Sequence, residues 1–326
     1  MGSIKRSASQ KKLGRGGKRP VKSGLPTWMW LGLGGLALII LLAGTAIFAL
    51  ALFPRTGGAM AFGKGCVGVI ELHGDIVPYT SPDSILSAGQ TGADDIAQSI
   101  EDADSRGDVK AILLDVDSPG GSVYATREIY QAYASAKKPK VAYFRETAAS
   151  GAYYIASASD YIVSDPDTLT GSIGVRATVA DLSGLFAKIG YNETIVKSGE
   201  LKDMGTASRP MSDQEREVFV SIVNETFEEF KGIVVANRGQ KLDPAGFGTA
   251  LDARVLSGRQ AKAIGLVDAL GSRKDALDKA ALLAGEDGLP VCDMTPAGRN
   301  PLSRLLGEMI GPVIPAMESG AVHLSS

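Results

Sequence analysis

The chain has 326 residues, of which 44% are hydrophobic and 21% charged, and its formal net charge is −2. This length allows one large or two small globular units. The charge is unevenly divided, because residues 1–27 contain eight lysines and arginines and no acid, so that the remainder carries about −10. An acidic remainder argues against nucleic acid as a partner of the folded domain.

An uncharged, apolar stretch from Trp28 to Phe53 follows the basic tail. Residues 31–53 would span about 34 Å as a helix, which is enough to cross a hydrocarbon core. Because the basic residues precede the stretch, we expect a single-pass anchor in the cytoplasmic (inner) membrane, with the N-terminus cytoplasmic and the catalytic domain extracytoplasmic. A cleaved signal peptide is the alternative, but its apolar region is usually only ~7–15 residues long.

Alternating strands and helices are predicted after a Gly-rich linker at 54–65. Strands are expected at Val67–Leu72, Ala111–Val116, Lys140–Phe144, Tyr161–Val163 and Glu193–Val196. Helices are expected at Ala93–Asp104, Ala125–Ala136, Ser150–Ala158 and Ser212–Arg238, and a loop at Ser81–Thr91. Ser212 and Glu215 have the spacing of a capping box, which predicts the start of the last helix. This alternation predicts an α/β core with parallel strands, in which ligands bind where strands end and helices begin.

Two turns of small residues lie at such junctions. One is Asp117-Ser118-Pro119-Gly120-Gly121, and the other is Ala149-Ser150-Gly151. Glycine allows a substrate to approach backbone N–H groups closely, and Ser150 offers an uncrowded hydroxyl. Each turn alone is more often an ordinary turn or helix cap. Together, at the ends of two strands, they favour an acyl-transfer site.

A base for the serine is the missing part. The two histidines are poor candidates, because His73 lies in an early strand-turn region and His323 lies four residues from the end of the sequence. A carboxylate is normally too weak a base, whereas a lysine can serve where burial lowers its pKa. Lys202, beside a glycine break, is the best candidate, although by composition alone it is more often a solvated loop residue.

The two cysteines, Cys66 and Cys292, lie too far apart in sequence to show a metal-binding spacing. They can pair in an oxidising compartment, but the sequence does not establish that they are close. We therefore assign them no role, and we expect neither a metal nor a cofactor.

Five motifs in order carry a resemblance to a known family: Asp117–Gly121, Ala149–Gly151 with Tyr153-Tyr154, Thr170–Val175, Ser198–Asp203 and Gly265–Asp268. The set resembles the signal peptide peptidase A family (the protease IV group) of the Clp protease/crotonase superfamily. The resemblance covers roughly residues 65–285. It implies a Clp protease/crotonase-like α/β core of parallel strands and helices, preceded here by one transmembrane helix.

The resemblance also implies roles for individual residues. Ser150 corresponds to the nucleophile, Lys202 to the general base and Ser172 to a hydroxyl that orients the amine. The oxyanion-binding groups correspond to Gly120, Gly121 and Gly151. Ala152 departs from the family pattern, which has a second glycine after the nucleophile. The family forms ring-like homo-oligomers in which the serine and lysine of one site can come from different subunits.

We therefore expect a membrane-anchored serine endopeptidase that degrades cleaved signal peptides and similar apolar peptides. Its predicted regions are a basic tail (1–27), a transmembrane helix (28–53), a linker (54–65), a peptidase domain (66–285) and a C-terminal extension (286–326). Three alternatives remain open. They are a related stomatin-operon type of membrane protease, a crotonase-like acyl-CoA enzyme and a non-catalytic membrane scaffold.

Overall fold

The computed structural model describes residues 65–80 and 92–296. The predicted basic tail, transmembrane helix and 81–91 loop lie outside the described residues, as do most of the linker and of the C-terminal extension. Within the described ranges, no helix combines the length and the apolar character needed to cross a membrane.

The core is an eight-stranded sheet in the described part of the chain. Its strands are β1 (Cys66–His73), β2 (Val109–Ser118), β3 (Lys140–Ala149), β4 (Tyr161–Ser164), β5 (Leu169–Gly171), β6 (Val255–Ser257), β7 (Ala269–Leu270) and β8 (Val291–Asp293). The main order is β6-β5-β3-β2-β1-β8, while β4 pairs with β3 and β7 pairs with β4. All pairs are parallel except β5 with β6, which confirms the predicted parallel α/β core.

The helices are α1 (Ala93–Ser105), α2 (Val123–Ser135), α3 (Gly151–Ala156), α4 (Ser183–Ile189), α5 (Asp213–Arg238), α6 (Pro244–Ala250), α7 (Gly258–Ala263) and α8 (Arg273–Leu283). A short 3-10 helix covers Glu200–Asp203. The predicted strand at 193–196 is wrong, because the chain there is irregular and exposed. A short apolar run forms a strand only where a sheet edge is available to pair with it.

The central strands are apolar through their middle because helices cover both faces of the sheet. Along β2, Ile112, Leu114 and Val116 belong to the larger hydrophobic cluster, which includes residues of α1, α2 and α3. Ala111 and Leu113 face the other way and cluster with residues of α8. This alternation explains why residues 111–114 are all apolar rather than apolar with a period of two.

Helix α5 begins and ends in polar contacts that the sequence predicts only at its start. The predicted capping box is confirmed, since the Ser212 hydroxyl accepts from the Glu215 N–H and the Glu215 carboxylate accepts from the Ser212 N–H. At the other end, the fully buried Arg238 guanidinium donates to Asp268 Oδ2 at 2.7 Å. The helix is thereby fixed to the segment that leads into β7.

A disulfide joins Cys66 and Cys292, with their Cα atoms 5.8 Å apart. It links β1 to the edge strand β8, whose residues 291–293 pair with residues 67–69. The sequence left this pairing open, and the structure provides the proximity that was missing.

Candidate active site

Three turns meet at one edge of the sheet, because β2, β3 and β5 are parallel neighbours. Strand β2 leads into Gly120 and Gly121, β3 leads into Ser150, and β5 leads into Ser172. Since the carboxyl ends of parallel strands lie at the same edge, residues far apart in sequence converge there. The register confirms this convergence, with Ser118 opposite Ala148 and Ala149 opposite Gly171.

Ser150 occupies a sharp turn between β3 and α3. Its backbone has φ of 54° and ψ of −123°, a conformation that residues with a Cβ rarely adopt. Its N–H donates to the Gly171 carbonyl at 2.9 Å, and its own carbonyl accepts from the Tyr154 N–H. These bonds hold the half-buried Ser150 at the point where the strand becomes a helix.

Backbone strain is concentrated around this serine. Within residues 65–80 and 92–296, the non-glycine residues with positive φ are Ser150, Ser172 (48°) and Ala253 (66°). All three line the same cavity. Each such residue costs on the order of 1–3 kcal/mol, and such strain clusters at functional sites.

The predicted glycines are required by space. A Cβ on Gly120, whose φ is +96°, would lie 2.6 Å from the Gly151 nitrogen. A Cβ on Gly121 would lie 2.1 Å from the Ile76 carbonyl oxygen, and one on Gly151 would lie 2.4 Å from Thr126 Oγ1. Because real Cβ atoms do not approach other atoms so closely, these glycines allow the two turns to pack against each other and their surroundings.

The N–H groups of these glycines point in different directions. Gly120 donates to Ser118 Oγ at 3.1 Å, so its N–H is used within its own turn. Ile76 bonds to the backbone on both sides of Gly121, through Gly120 O and Ser122 N. In a parallel bridge of this kind the central residue, here Gly121, directs its N–H away from Ile76. That direction is the side of β3. Gly151 is the first residue of α3, so its N–H has no acceptor within the helix.

A cavity of about 590 Å³ surrounds Ser150. This volume lies within the range of about 300–1,000 Å³ that is usual for ligand sites. The predicted Ser150, Ser172, Gly120, Gly121 and Gly151 all line it. The further lining residues are Asp75, Pro119, Val123, Thr126, Arg127, Tyr154, Gly174, Val175, Arg176, Thr226, Glu229, Phe230 and Ala253.

An ion pair in the cavity wall was not predicted. Arg127 of α2 donates two hydrogen bonds to the Glu229 carboxylate of α5, at 3.0 and 2.7 Å, and the Tyr154 hydroxyl donates to the same carboxylate at 3.2 Å. The hydrogen bond from Arg127 holds the pKa of Glu229 below its usual value. Burial, followed by the charge of Glu229, raises the pKa of Tyr154 to about 12. No sequence signal connects residues 127 and 229, because only the packing of α5 on α2 and α3 brings them together.

Lys202 lies elsewhere in the single chain. It is exposed, belongs to the 3-10 helix 200–203, and is not among the residues that line the Ser150 cavity. The other base considered, His73, is also outside the cavity lining and lies instead near the carboxylates of Glu71 and Asp115. Within one described chain, therefore, the structure brings the serine and glycines together but does not add the lysine.

Comparisons with known proteins identify the family of the chain. The model of peptidase family S49 matches residues 132–287, and that of Clp protease matches residues 85–163. A candidate protease of Methanocaldococcus jannaschii is 33% identical over 277 residues, which cover 81% of this chain and 88% of that protein. The chain belongs to peptidase family S49. It is thus a serine peptidase, which favours the peptidase hypothesis over an acyl-CoA enzyme or a scaffold.

Two further relatives of this S49 peptidase are longer. A candidate signal peptide peptidase of Enterococcus faecium is 40% identical over 173 residues, covering 52% of this chain and 50% of that protein. Protease 4 of Salmonella typhi is 35% identical over 223 residues, covering 68% of this chain and 35% of that protein. The S49 peptidase therefore spans half or less of these two relatives.

Proposed function

We propose that this S49 peptidase is a membrane-anchored endopeptidase that cleaves apolar peptides with Ser150 as nucleophile and Lys202 as general base. The observation that carries the proposal is the strained turn at Ser150, which faces the glycine turn of β2 and Ser172 of β5 across one cavity. A nucleophile beside backbone donors is the arrangement that acyl transfer requires.

The chemistry follows from these groups. The neutral Lys202 amine takes the proton of Ser150 while Oγ attacks the peptide carbonyl carbon. The N–H groups of Gly121 and Gly151 donate to the oxyanion, whereas Gly120 shapes the turn between them. The lysine then gives its proton to the leaving amine as the peptide bond breaks. Water, deprotonated by the lysine, hydrolyses the acyl-enzyme and restores the serine.

The base comes from a second copy of the chain in this proposal, with Ser172 orienting its amine. Lys202 is exposed in the single chain and outside the cavity. The segment before it exposes large apolar side chains that a second copy would cover: Leu182, Leu185, Ile189, Tyr191, Ile195 and Val196. The family resemblance implies the same conclusion, a homo-oligomer whose sites are shared between subunits.

The substrates are remnants of signal peptides and similar apolar segments. Two observations support this choice, namely the mixed apolar and polar cavity with Val123, Val175 and Phe230 in its wall and the similarity to a candidate signal peptide peptidase. An anchor at residues 28–53 would place the site close to peptides left in a lipid bilayer. The disulfide Cys66–Cys292 supports an extracytoplasmic catalytic domain, because disulfides persist mainly in oxidising compartments.

Two single variants and their mixture test the proposal. Ser150→Ala and Lys202→Ala should each abolish cleavage of a fluorogenic apolar peptide while leaving the oligomer intact by size-exclusion chromatography. If the site is shared, dissociating and reassembling an equal mixture of the two variants should restore activity at about a quarter of the sites, because each active site then needs one intact residue from each chain.

Two outcomes would contradict it. Near-normal activity of Lys202→Ala would eliminate the lysine as base. Inactivity of the mixture, despite verified exchange of subunits, would place both residues of a site in the same chain.

A further inference from the structure

The 3-10 helix that carries Lys202 is held by four charged side chains, which we call the ion-pair cluster: Lys197, Asp203, Arg209 and Glu215. The Lys197 ammonium lies 2.7 Å from Asp203 Oδ1, and the Arg209 guanidinium lies 3.1 Å from the same oxygen. Asp203 is the residue directly after Lys202, so both contacts act on the backbone that carries the lysine.

Arg209 connects this turn to helix α5. It donates two hydrogen bonds to the Glu215 carboxylate, at 2.6 and 2.9 Å. Two parallel bonds of this kind fix orientation as well as distance. The Glu215 side chain is only 1% exposed and also completes the capping box of α5. The cluster therefore ties the lysine turn to a 26-residue helix.

The backbone next to Lys202 is restrained on both sides. The Lys202 N–H donates to the Gly199 carbonyl at 3.2 Å, and the Thr206 N–H donates to the Asp203 carbonyl at 3.0 Å. Lys197 adds a hydrogen bond to the Glu200 carbonyl at 2.7 Å. The position of the Lys202 Cα thus depends on local polar contacts, since 3-10 residues 200–203 include no buried residue.

The charges of the cluster cancel, with two cations and two anions. The hydrogen bond from Lys197 lowers the pKa of Asp203, and the hydrogen bond from Arg209 lowers that of Glu215 to about 2, so both acids are ionised at neutral pH. A lone carboxylate beside Lys202 would favour the ammonium form, which cannot act as a base. Glu200 is the remaining charged group on the same 3-10 helix.

We propose that Asp203 and Arg209 are positioning residues for the peptidase reaction, fixing the turn that carries Lys202 and keeping the ion-pair cluster beside it electrically neutral. This inference rests on the proposed function, because it assigns Lys202 the role of base. Asp203 and Arg209 act through the lysine and do not touch the substrate.

The test measures kcat and KM against pH for the full-length oligomer with a fluorogenic apolar peptide. Asp203→Asn leaves the cluster with an extra positive charge, and Arg209→Gln leaves it with an extra negative charge. We expect kcat to fall by about 10–100-fold in both, with KM changed by less than about twofold. The acid-side midpoint of the kcat profile should move down in Asp203→Asn and up in Arg209→Gln, by about half a pH unit or more.

Three controls make the result specific. Arg209→Lys keeps the charge and should keep the wild-type midpoint while recovering part of kcat. Asp167→Asn breaks the exposed ion pair with Arg259 and should change neither kcat nor the midpoint of its pH profile. Lys202→Ala tests the proposed function itself, so that its failure is recognised separately.

The inference is overturned if Lys202→Ala is inactive but both cluster variants show wild-type kcat profiles. It is also overturned if both variants lose activity with midpoints that stay unchanged or move in the same direction, because the cluster would then be only structural. Thermal unfolding of each variant accompanies the kinetics. If Arg209→Gln fails to fold, the Asp203→Asn and Arg209→Lys pair decides by the same criteria.

Discussion

The two halves of the proposed catalytic machinery are built in different ways. The nucleophile half consists of Ser150, Ser172 and the glycine turns, all at the ends of strands in the central sheet. The lysine half is the segment from 176 to 202, a stretch that the structure describes in full and in which no residue is buried. Its helix α4 likewise has no buried residue.

This difference shows which part of the site is complete in one chain. The sheet holds Ser150 and the backbone donors in position because the strands on which they lie are fixed by the core. The lysine segment has no buried residue of its own, and its end at Lys202 is held by the ion-pair cluster. We infer that the nucleophile half is preformed and that the lysine half reaches its working position only in the assembled protein.

The largest expected effect on stability lies where α5 meets the sheet. Asp268→Asn should lower the free energy of unfolding by about 3–5 kcal/mol, because it leaves the fully buried Arg238 without its anion. Urea denaturation of the variant and the wild type measures the difference. The exposed pair of Arg259 and Asp167 provides the control, and Asp167→Asn should cost at most about 1 kcal/mol. Equal losses of unfolding free energy in the two variants would mean that the buried ion pair contributes no more to stability than the exposed one.

The next effect concerns activity in the nucleophile half. Gly120→Ala places a methyl group against the Gly151 nitrogen, so we expect kcat/KM to fall by about 10²–10³-fold, as for the loss of an oxyanion donor. Gly74→Ala is the matched control, because Gly74 also has a left-handed φ (72°) but nothing lies within 4 Å of the added Cβ. Peptide hydrolysis and labelling of Ser150 by a fluorophosphonate measure the loss. If kcat/KM falls by a similar factor in both variants, the loss comes from the strain of alanine at a positive φ and not from the contact with the Gly151 nitrogen.

The smallest effect is a pH dependence of the ion pair that ties the turn carrying Lys202 to α5. The pKa of Glu215 is lowered from about 4.5 to about 2, chiefly by the hydrogen bond from Arg209. A carboxylate whose pKa is lower in the folded than in the unfolded protein stabilises the fold at pH values above its unfolded-state pKa. This contribution to the free energy of unfolding is lost as the pH falls from about 4.5 towards 2. The free energy of unfolding of Glu215→Gln should therefore depend less steeply on pH in that range than that of the wild type. Denaturant titration at several pH values measures it. The exposed Glu101→Gln on α1 should leave the dependence as in the wild type, and an unchanged profile in Glu215→Gln would contradict the assignment.

The sequence alone determined the features that depend on neighbouring residues. The apolar run at 111–116 and the spacing of the helices indicated the parallel α/β core. Glycines 120, 121 and 151 marked the two turns of the predicted site, and Ser212 with Glu215 marked the start of α5. The role proposed for Ser172 came only from the family motifs, whereas Lys202 was first reached by excluding the histidines and carboxylates and then matched a family motif.

Only the tertiary structure decided the features that join distant parts of the chain. Two of these features connect residues more than 100 positions apart, namely the disulfide of Cys66 with Cys292 and the contact of Arg127 with Glu229. A third is the edge position of β8, which pairs with the non-consecutive strand β1. The irregular chain at 193–196 and the exposure of Lys202 were decided in the same way. The physical reason is that the local pattern of residues sets which helices and strands form, whereas packing sets which of their surfaces are buried. The spacing of apolar residues along one element does not specify the element that will cover it.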